Sequence, residues 1–487
     1  MLDLIIKNVK IVRPHKTATA TMDLGIKNGK FEKISNAIDP EEATQVHDAK
    51  GLLGFPGLVD AHMHTGIYAH LSEDAVTESK AAAMGGVTTS LNYMRTGQYY
   101  LNKTGKYADF FPEVLAISEG RFHVDYAYHL APIRYEHRDE IEMLIEKFGV
   151  TSFKIFMFYG SHGLHGKSTK GSQNEFLMTP EGEQYDIAHF EFIMRSIQKA
   201  MERYPELEEE ISLSLHCETA EIMRAYTEIV EREGTLTGLR AYSASRPPHS
   251  EGLAIFIASY LANETNCPNI NLLHLSSKKA VDAALLMEQA FPHINFKKEV
   301  TVGHLLLDVD SPAAGHAKVN PPIRDRDNVE YLWKMLLDRK LDWVVSDHAC
   351  CSAEFKLDNQ NPDNIFLAKS GFGGTEYLLS GLFSEGNKRG MSYNHMAELL
   401  CWNPAKRYGL RSKGDIAEGY DADLVLLDPQ ARFTVRAAES ESAQGYTPFE
   451  GMELTGQVKT TYLRGHKIYE NGAVLGDAKG HYLKRPY

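Results

Sequence analysis

The chain is short of cysteine, of long apolar runs and of positive charge, and each shortage removes a class of protein. Five cysteines in 487 residues are too few, and odd in number, for a disulfide framework, so a reducing cytoplasm is the expected location. No uncharged apolar stretch reaches the ~18 residues that a membrane-spanning helix needs. Lys and Arg total 52 against 65 Asp and Glu, a net charge of −13, which disfavours nucleic acid and anionic membranes as partners. The opening MLDLIIKNVKIV lacks the apolar core and cleavage site of a signal peptide. No fixed-period repeat, long Pro/Ser linker, CxxC pair or GxGxxG after a strand is present. A GKS tripeptide ends at Ser168, but Ser161 stands where a Walker A loop needs glycine, so nucleotide binding is not expected.

The remaining composition, 43% hydrophobic and 24% charged, is that of a soluble globular protein. Both ends read as short strands. DLIIKNVKIV and DLGIKNGKFEKIS open the chain, with Asn28-Gly29 as a hairpin signal, and DADLVLLDP, GQVKTTYLRGHKIYENG and AVLG repeat the style near its end. One small sheet domain assembled from both termini is expected. Between about 55 and 400, the apolar runs GVTTSLNY, FHVDYAYHL, TSFKIFMF, ISLSLHCE, INLLHLSS and LDWVVSDH alternate with helical stretches such as HFEFIMRSIQKAMERY and AVDAALLMEQAF. That alternation predicts parallel βαβ units, and more than six of them favour a closed (β/α)₈ TIM barrel over an open sheet. The segment 160–186 is polar, glycine-rich and too long for an ordinary connection, and it reads as a lid or substrate loop.

Candidate chemistry sits where the predicted strands end. In GFPGLVDAHMHTG, Asp60, His62 and His64 are spaced two apart, so on a strand all three face one way. Two imidazoles from one rigid strand suit zinc, although the pair alone reads equally well as ordinary surface or core histidines. Lys154 interrupts the apolar TSFKIFMFY, where an isolated ammonium is costly to bury. It is either paired or snorkelling, or its amine is neutral and able to take up carbon dioxide as a carbamate that bridges two metals. His216 ends SLSLHCE, His274 ends NLLHLSS, and Asp347 ends WVVSDH. Each histidine alone reads as a satisfied buried residue, and the acid lies where barrel enzymes place catalytic groups. Together, the order His-x-His, Lys, His, His, Asp, distributed over successive strand ends, is far more specific than any part.

With PGLVDAHMH, SFKIFMFY, SRPPHSE, HLSS, NPPIRD, SDHA, WNPAKRYGL, KGDIAEGYDADLVLLDP and PFEGMELTGQV, the chain resembles the amidohydrolase superfamily over nearly its whole length, and within it the hydantoinase/dihydropyrimidinase group of cyclic amidases. The resemblance implies a (β/α)₈ barrel, 54–405, flanked by a β-sandwich from 1–53 and from 406–487, which includes the C-terminal tail. It implies two divalent metals, usually zinc: His62, His64, Lys154 and Asp347 on the more buried one, and carboxylated Lys154, His216 and His274 on the more exposed one. A metal-bridging hydroxide would attack a ring amide, with Asp347 carrying the proton to the leaving nitrogen. Tyr159 would donate to the oxyanion, and the main chain at Asn320 and Ser370 would clamp the substrate. A homo-oligomer, tetramer or dimer, is implied as well.

Several residues are read less firmly. Tyr159 also reads as an aromatic closing its strand. Asp60 is expected to orient the histidine pair, and His304 has a pocket role or a packing role. Cys350 and Cys351 are expected to be structural. Gly66 stands where dihydroorotases carry an arginine, which disfavours a carboxylate-bearing ring. Two alternatives to ring-amide hydrolysis follow. One is a same-fold hydrolase acting on another amide or lactam, its specificity altered by 160–186. The other is a non-catalytic scaffold relative, against which the six intact ligand types stand.

Overall fold

GFPGLVDAHMH folds as two consecutive strands that serve different sheets, Leu53–Pro56 and Leu58–Met63. Gly57 is the joint. A Cβ there would lie 2.1 Å from Thr88 Oγ1 and 2.7 Å from Asp423 Cβ, so no other residue lets the two units approach so closely. The computed structural model describes residues 1–97, 99–157 and 183–487.

Eight parallel strands follow in sequence order: Leu58–Met63, Val87–Met94, Asp125–Leu130, Ser152–Phe156, Ser212–His216, Asn269–Leu272, Asn295–Thr301 and Trp343–Val345. The first and last meet where the His64 amide donates to His348 O at 2.7 Å, beside an isolated parallel bridge between Met63 and His348. The sheet therefore curls into a nearly closed barrel, the architecture that the strand–helix alternation predicts. Helices run between the strands and bury one apolar stripe each. In Ile141–Phe148 the stripe is Ile141, Leu144, Ile145 and Phe148, and the left-handed Gly149 (φ 66°) ends the helix. Asp186 caps Ile187–Arg203 by accepting from the His189 amide at 3.1 Å.

The second sheet has nine strands drawn from both ends of the chain. Leu53–Pro56 sits at its centre, parallel to Leu2–Ile11 and antiparallel to Leu424–Thr434. The Asn28-Gly29 hairpin forms as expected, with both residues at positive φ (50° and 74°) between Ala20–Lys27 and Lys30–Ser35. Ile6, Val9, Leu24, Phe31, Leu424 and Tyr462 fill its core.

The C-terminal tail was expected only as an appendage of the sheet domain, but it seals the barrel floor. The Leu483 amide donates to Tyr126 O at 2.8 Å, and Arg485 donates to Ser152 Oγ at 2.6 Å and to Tyr128 O at 2.5 Å. These partners belong to the third and fourth strands. The candidate ligands lie toward the opposite, C-terminal ends of the strands.

Candidate metal centre

Strand ends deliver the candidate ligands to one cavity. His62 lies within the first strand and His64 one residue past it. Lys154 lies in the fourth strand, His216 ends the fifth, His274 follows the sixth and Asp347 follows the eighth. His62 Nε2 lies 3.1 Å and His64 Nε2 3.4 Å from Asp347 Oδ1. Lys154 Nζ donates to His62 Nε2 at 3.2 Å. The ring centroids of His216 and His274 are 4.3 Å apart, and those of His62 and His274 are 5.4 Å apart. His64, Lys154, His216, His274 and Asp347 line a cavity with about 500 Å³ of empty space, together with Arg95, Tyr100, Phe156, Asn320 and Ser370.

His274 (φ 35°) and Asp347 (φ 54°) both adopt left-handed backbone. Side chains rarely take that conformation unless the surroundings impose it, and such outliers cluster at functional sites. Two of them, after the sixth and the eighth strands and both lining one cavity, are a local cost at the site.

The electrostatics favour metal binding. Burial pushes His62, His64 and His274 well below the ordinary histidine value, and His216 down to about 4, where desolvation outweighs the opposing pull of Glu218. All four imidazoles are thus neutral, the form that binds a metal. Lys154 is 1% exposed, and among the described residues no carboxylate forms an ion pair with it. Its ammonium would rest over the Tyr93 and Phe156 rings, at 3.9 and 4.4 Å from their centroids. Burial lowers its pKa, against the pull of Asp347 and Glu299. No described carboxylate pairs with it, and burial brings its pKa down to about 7, which makes the neutral amine accessible near neutral pH.

The orienting partners differ from the sequence expectation. Asp60 does not touch the histidines. It accepts from Ser346 N at 3.1 Å, Ser346 Oγ at 2.5 Å and Thr375 Oγ1 at 2.8 Å, and so fixes the residue before Asp347. His62 Nδ1 instead bonds Glu299 Oε1 at 2.7 Å, and His64 Nδ1 bonds the Tyr100 hydroxyl at 2.8 Å. His216 Nε2 bonds Glu218 Oε2 at 2.7 Å, and Arg246 grips Glu218 through Nε at 2.9 Å and NH2 at 2.5 Å. With Nε2–H donated, Nδ1 is the acceptor nitrogen of the His216 ring. Glu299 was missed because the seventh strand, NFKKEVT, has charges that obscure its strand pattern. The Glu218–Arg246 pair could have been suspected from HCE and SRPPHSE, two motifs in which charge accompanies buried neighbours.

The remaining candidates are placed as follows. Asn320 and Ser370 both line the cavity, with Ser370 Oγ donating to Asn320 Oδ1 at 3.4 Å and the Tyr68 hydroxyl donating to Ser370 O at 2.6 Å. His304 takes the packing role: Nδ1 bonds Thr301 Oγ1 at 2.7 Å and Nε2 donates to Pro321 O at 3.0 Å, bracing the turn beside Asn320. Cys350 and Cys351 are buried free thiols. Cys350 gathers with Asp74 and Glu78, apart from the cavity. Tyr159, and 160–182 of the long loop, lie outside the described residues.

The donor set fits a pair of divalent cations. It offers neutral imidazoles, one carboxylate and a lysine without a counter-ion, and His274 Nδ1 is buried with no hydrogen-bond partner among the described residues.

Residues 256–468 match the description "Amidohydrolase family". The chain is 30% identical over 476 residues to an allantoinase from Salmonella choleraesuis (strain SC-B67), covering 96% of this chain and 95% of that one. Among solved structures, an L-hydantoinase (dihydropyrimidinase) from Arthrobacter aurescens superposes with a TM-score of 0.85 at 26% identity, over 99% of both chains. A dihydropyrimidinase from Brevibacillus agri gives 0.83 at 25% identity, over 100% of this chain and 99% of that one.

Proposed function

The chain belongs to the amidohydrolase family, and from that premise we propose that it opens the C–N bond of a ring amide of the hydantoin, dihydropyrimidine or allantoin kind. The carrying observation is that His64, Lys154, His216, His274 and Asp347, from five strands, line one cavity, with His62 Nε2 3.1 Å from Asp347. His62, His64 and Asp347, whose ligand atoms already cluster, hold one ion together with Lys154. His216 and His274 hold the second, also with Lys154. Two divalent ions, zinc suiting the donors best, supply when bound an activated water and a Lewis acid for the scissile carbonyl.

The chain's own groups do the rest. The neutral Lys154 amine adds to carbon dioxide: an N–C bond forms, one N–H proton leaves to solvent, and the product is an anionic oxygen donor. Asp347 takes up a proton from the attacking water and returns it to the departing ring nitrogen. Tyr159 donates its hydroxyl to the developing oxyanion. The main chain at Asn320 and Ser370 holds the ring amide, and the floor sealed by Arg485 limits water entry to the mouth.

The test is a panel of dihydrouracil, substituted hydantoins, allantoin and bulkier lactams offered to the zinc-loaded chain. Opening of at least one ring, abolished by a chelator, is expected. No turnover of any member sinks the proposal.

The five buried thiols suit a reducing cytoplasm. An exposed stripe of Leu253, Phe256 and Tyr260 on the helix Pro248–Glu264 suits self-association. A monomeric mass by light scattering contradicts that assembly.

A further inference from the structure

Tyr242 lies in the helix Gly238–Ser245, outside the candidate ligand set, and the ring-opening chemistry gives it no task. It is buried, and its hydroxyl donates to Asn320 Oδ1 and accepts from Arg246 Nη1 at 3.2 Å. A guanidinium only donates, so the phenolic oxygen has to accept there, and its single proton is left for Asn320. Burial pushes the Tyr242 pKa up, which keeps that proton in place. Asn320 Oδ1 also receives the Ser370 hydroxyl at 3.4 Å, so the two segments of the clamp meet at one amide oxygen.

Followed the other way, the same contacts lead to a candidate metal ligand. Arg246 grips Glu218, and Glu218 bonds His216 Nε2. His216, Glu218, Arg246, Tyr242 and Asn320 thus form one buried chain of hydrogen bonds. It runs from the end of the fifth strand to the segment between the seventh and eighth, and its two ends, His216 and Asn320, both line the cavity. Donation from a charged group polarises the phenol and strengthens its bond to Asn320. A ring amide held by an ion on one side and by the main chain at Asn320 on the other binds well only if that separation is kept.

We propose that Tyr242 is a positioning residue for the substrate, its hydroxyl holding the Asn320 segment at a fixed separation from the metal position at His216. The inference rests on the ring-opening reading above and adds to it a residue that does not itself line the cavity.

Tyr242→Phe removes the hydroxyl alone. The ring keeps its neighbours Phe366, at 6.2 Å between centroids, and Lys318, whose Nζ lies 4.6 Å from its centroid. Arg324 still donates to Arg246 O at 2.6 Å, so the helix stays docked. Hydantoin, allantoin and dihydrouracil are offered in turn to zinc-loaded wild type, Tyr242→Phe, Asn320→Ala and the double variant. Each single variant is expected to raise KM about 10-fold, with kcat within about threefold and zinc content as in wild type. Because the two substitutions share one hydrogen bond, the double variant stays near 10-fold instead of reaching about 100-fold. Asn320→Ser takes the place of the alanine variant if that one folds poorly. An unaltered KM in Tyr242→Phe, effects on KM that multiply in the double variant, or loss of zinc from Tyr242→Phe overturns the assignment.

Calorimetric titration of the four proteins with the same compounds separates this claim from the one beneath it. Binding weakened by either substitution and no further by both, without opening of any ring, supports the positioning role and counts against ring opening. Ring opening with the same KM in wild type and Tyr242→Phe does the reverse. Neither binding nor opening overturns both.

Discussion

At the residue scale, the candidate ligands are held by groups that are not ligands themselves. Arg246 clamps Glu218, and Glu218 fixes the His216 tautomer. Burial alone would raise the Glu218 pKa, but Arg246 and His216 hold it well below the usual carboxylate range. Glu218→Gln keeps the shape, removes the charge and lets the imidazole turn. We expect zinc affinity at the exposed position to fall about 10- to 100-fold, read on the folded variant by competition with a chromophoric chelator, and the thermal midpoint without metal to fall as well because the buried Arg246 loses its counter-charge. Unchanged affinity contradicts the positioning role. All six candidate ligands were legible in the sequence because each is a polar residue at the end of an apolar run or, for Lys154, inside one. Their orienting partners were not, because those contacts join residues remote in sequence. His62 meets Glu299 across 237 positions, and Asp60, the nearer acid, turns away to Ser346 and Thr375.

At the scale of elements, the two segments proposed as a substrate clamp are tied together by a lysine with no acid beside it among the described residues. Lys356 is fully buried, and its amine donates to Lys318 O at 3.0 Å and to Gly371 O at 2.6 Å. Burial brings its pKa down from 10.5 to about 7, and a neutral amine has just the two N–H groups that two carbonyls need. A lysine depressed in the folded state is protonated mainly in the unfolded chain between pH 7 and its ordinary value, so folding stability rises with pH across that window and carries the full penalty below it. From pH 7 to 9 we expect wild type to gain on the order of 2 kcal/mol more than Lys356→Met, measured by denaturant titration. Parallel profiles for the two proteins would refute the neutral amine. Strands and helices were readable from alternation of apolar runs, with helix ends displaced by only two residues or so: HFEFIMRSIQKAMERY lies within and just beyond Ile187–Arg203. The clamp's support was not readable, since a lysine in AEFKLD looks like a surface residue until the loop folds over it.

At the scale of the molecule, barrel and sheet domain are joined by one buried ion cluster. Lys413 lies 2.9 Å from Asp125 at the start of the third barrel strand, and 3.1 and 2.8 Å from Asp421 and Asp423 beside the sheet. Replacing it with methionine leaves three buried carboxylates facing one another, with Arg464 still on Asp125 and Lys30 still on Asp421. The expected loss is about 3 to 5 kcal/mol, seen as a lower denaturation midpoint, and unaltered stability contradicts the account of the joint. The two-part architecture was visible in the sequence, since strand-rich ends enclose an alternating middle. The tail's place under the barrel was not, because HYLKRPY has no periodicity and its docking depends on the curvature of strands far upstream.

The central claim, that six side chains seat two cations around Lys154, is tested most directly by elemental analysis of wild type and Lys154→Ala purified alike and incubated with zinc and bicarbonate. The account predicts about two ions per wild-type chain and a collapse to about half an ion or fewer in the variant. Wild type below about half an ion per chain, or a variant that holds as much metal as wild type, contradicts it.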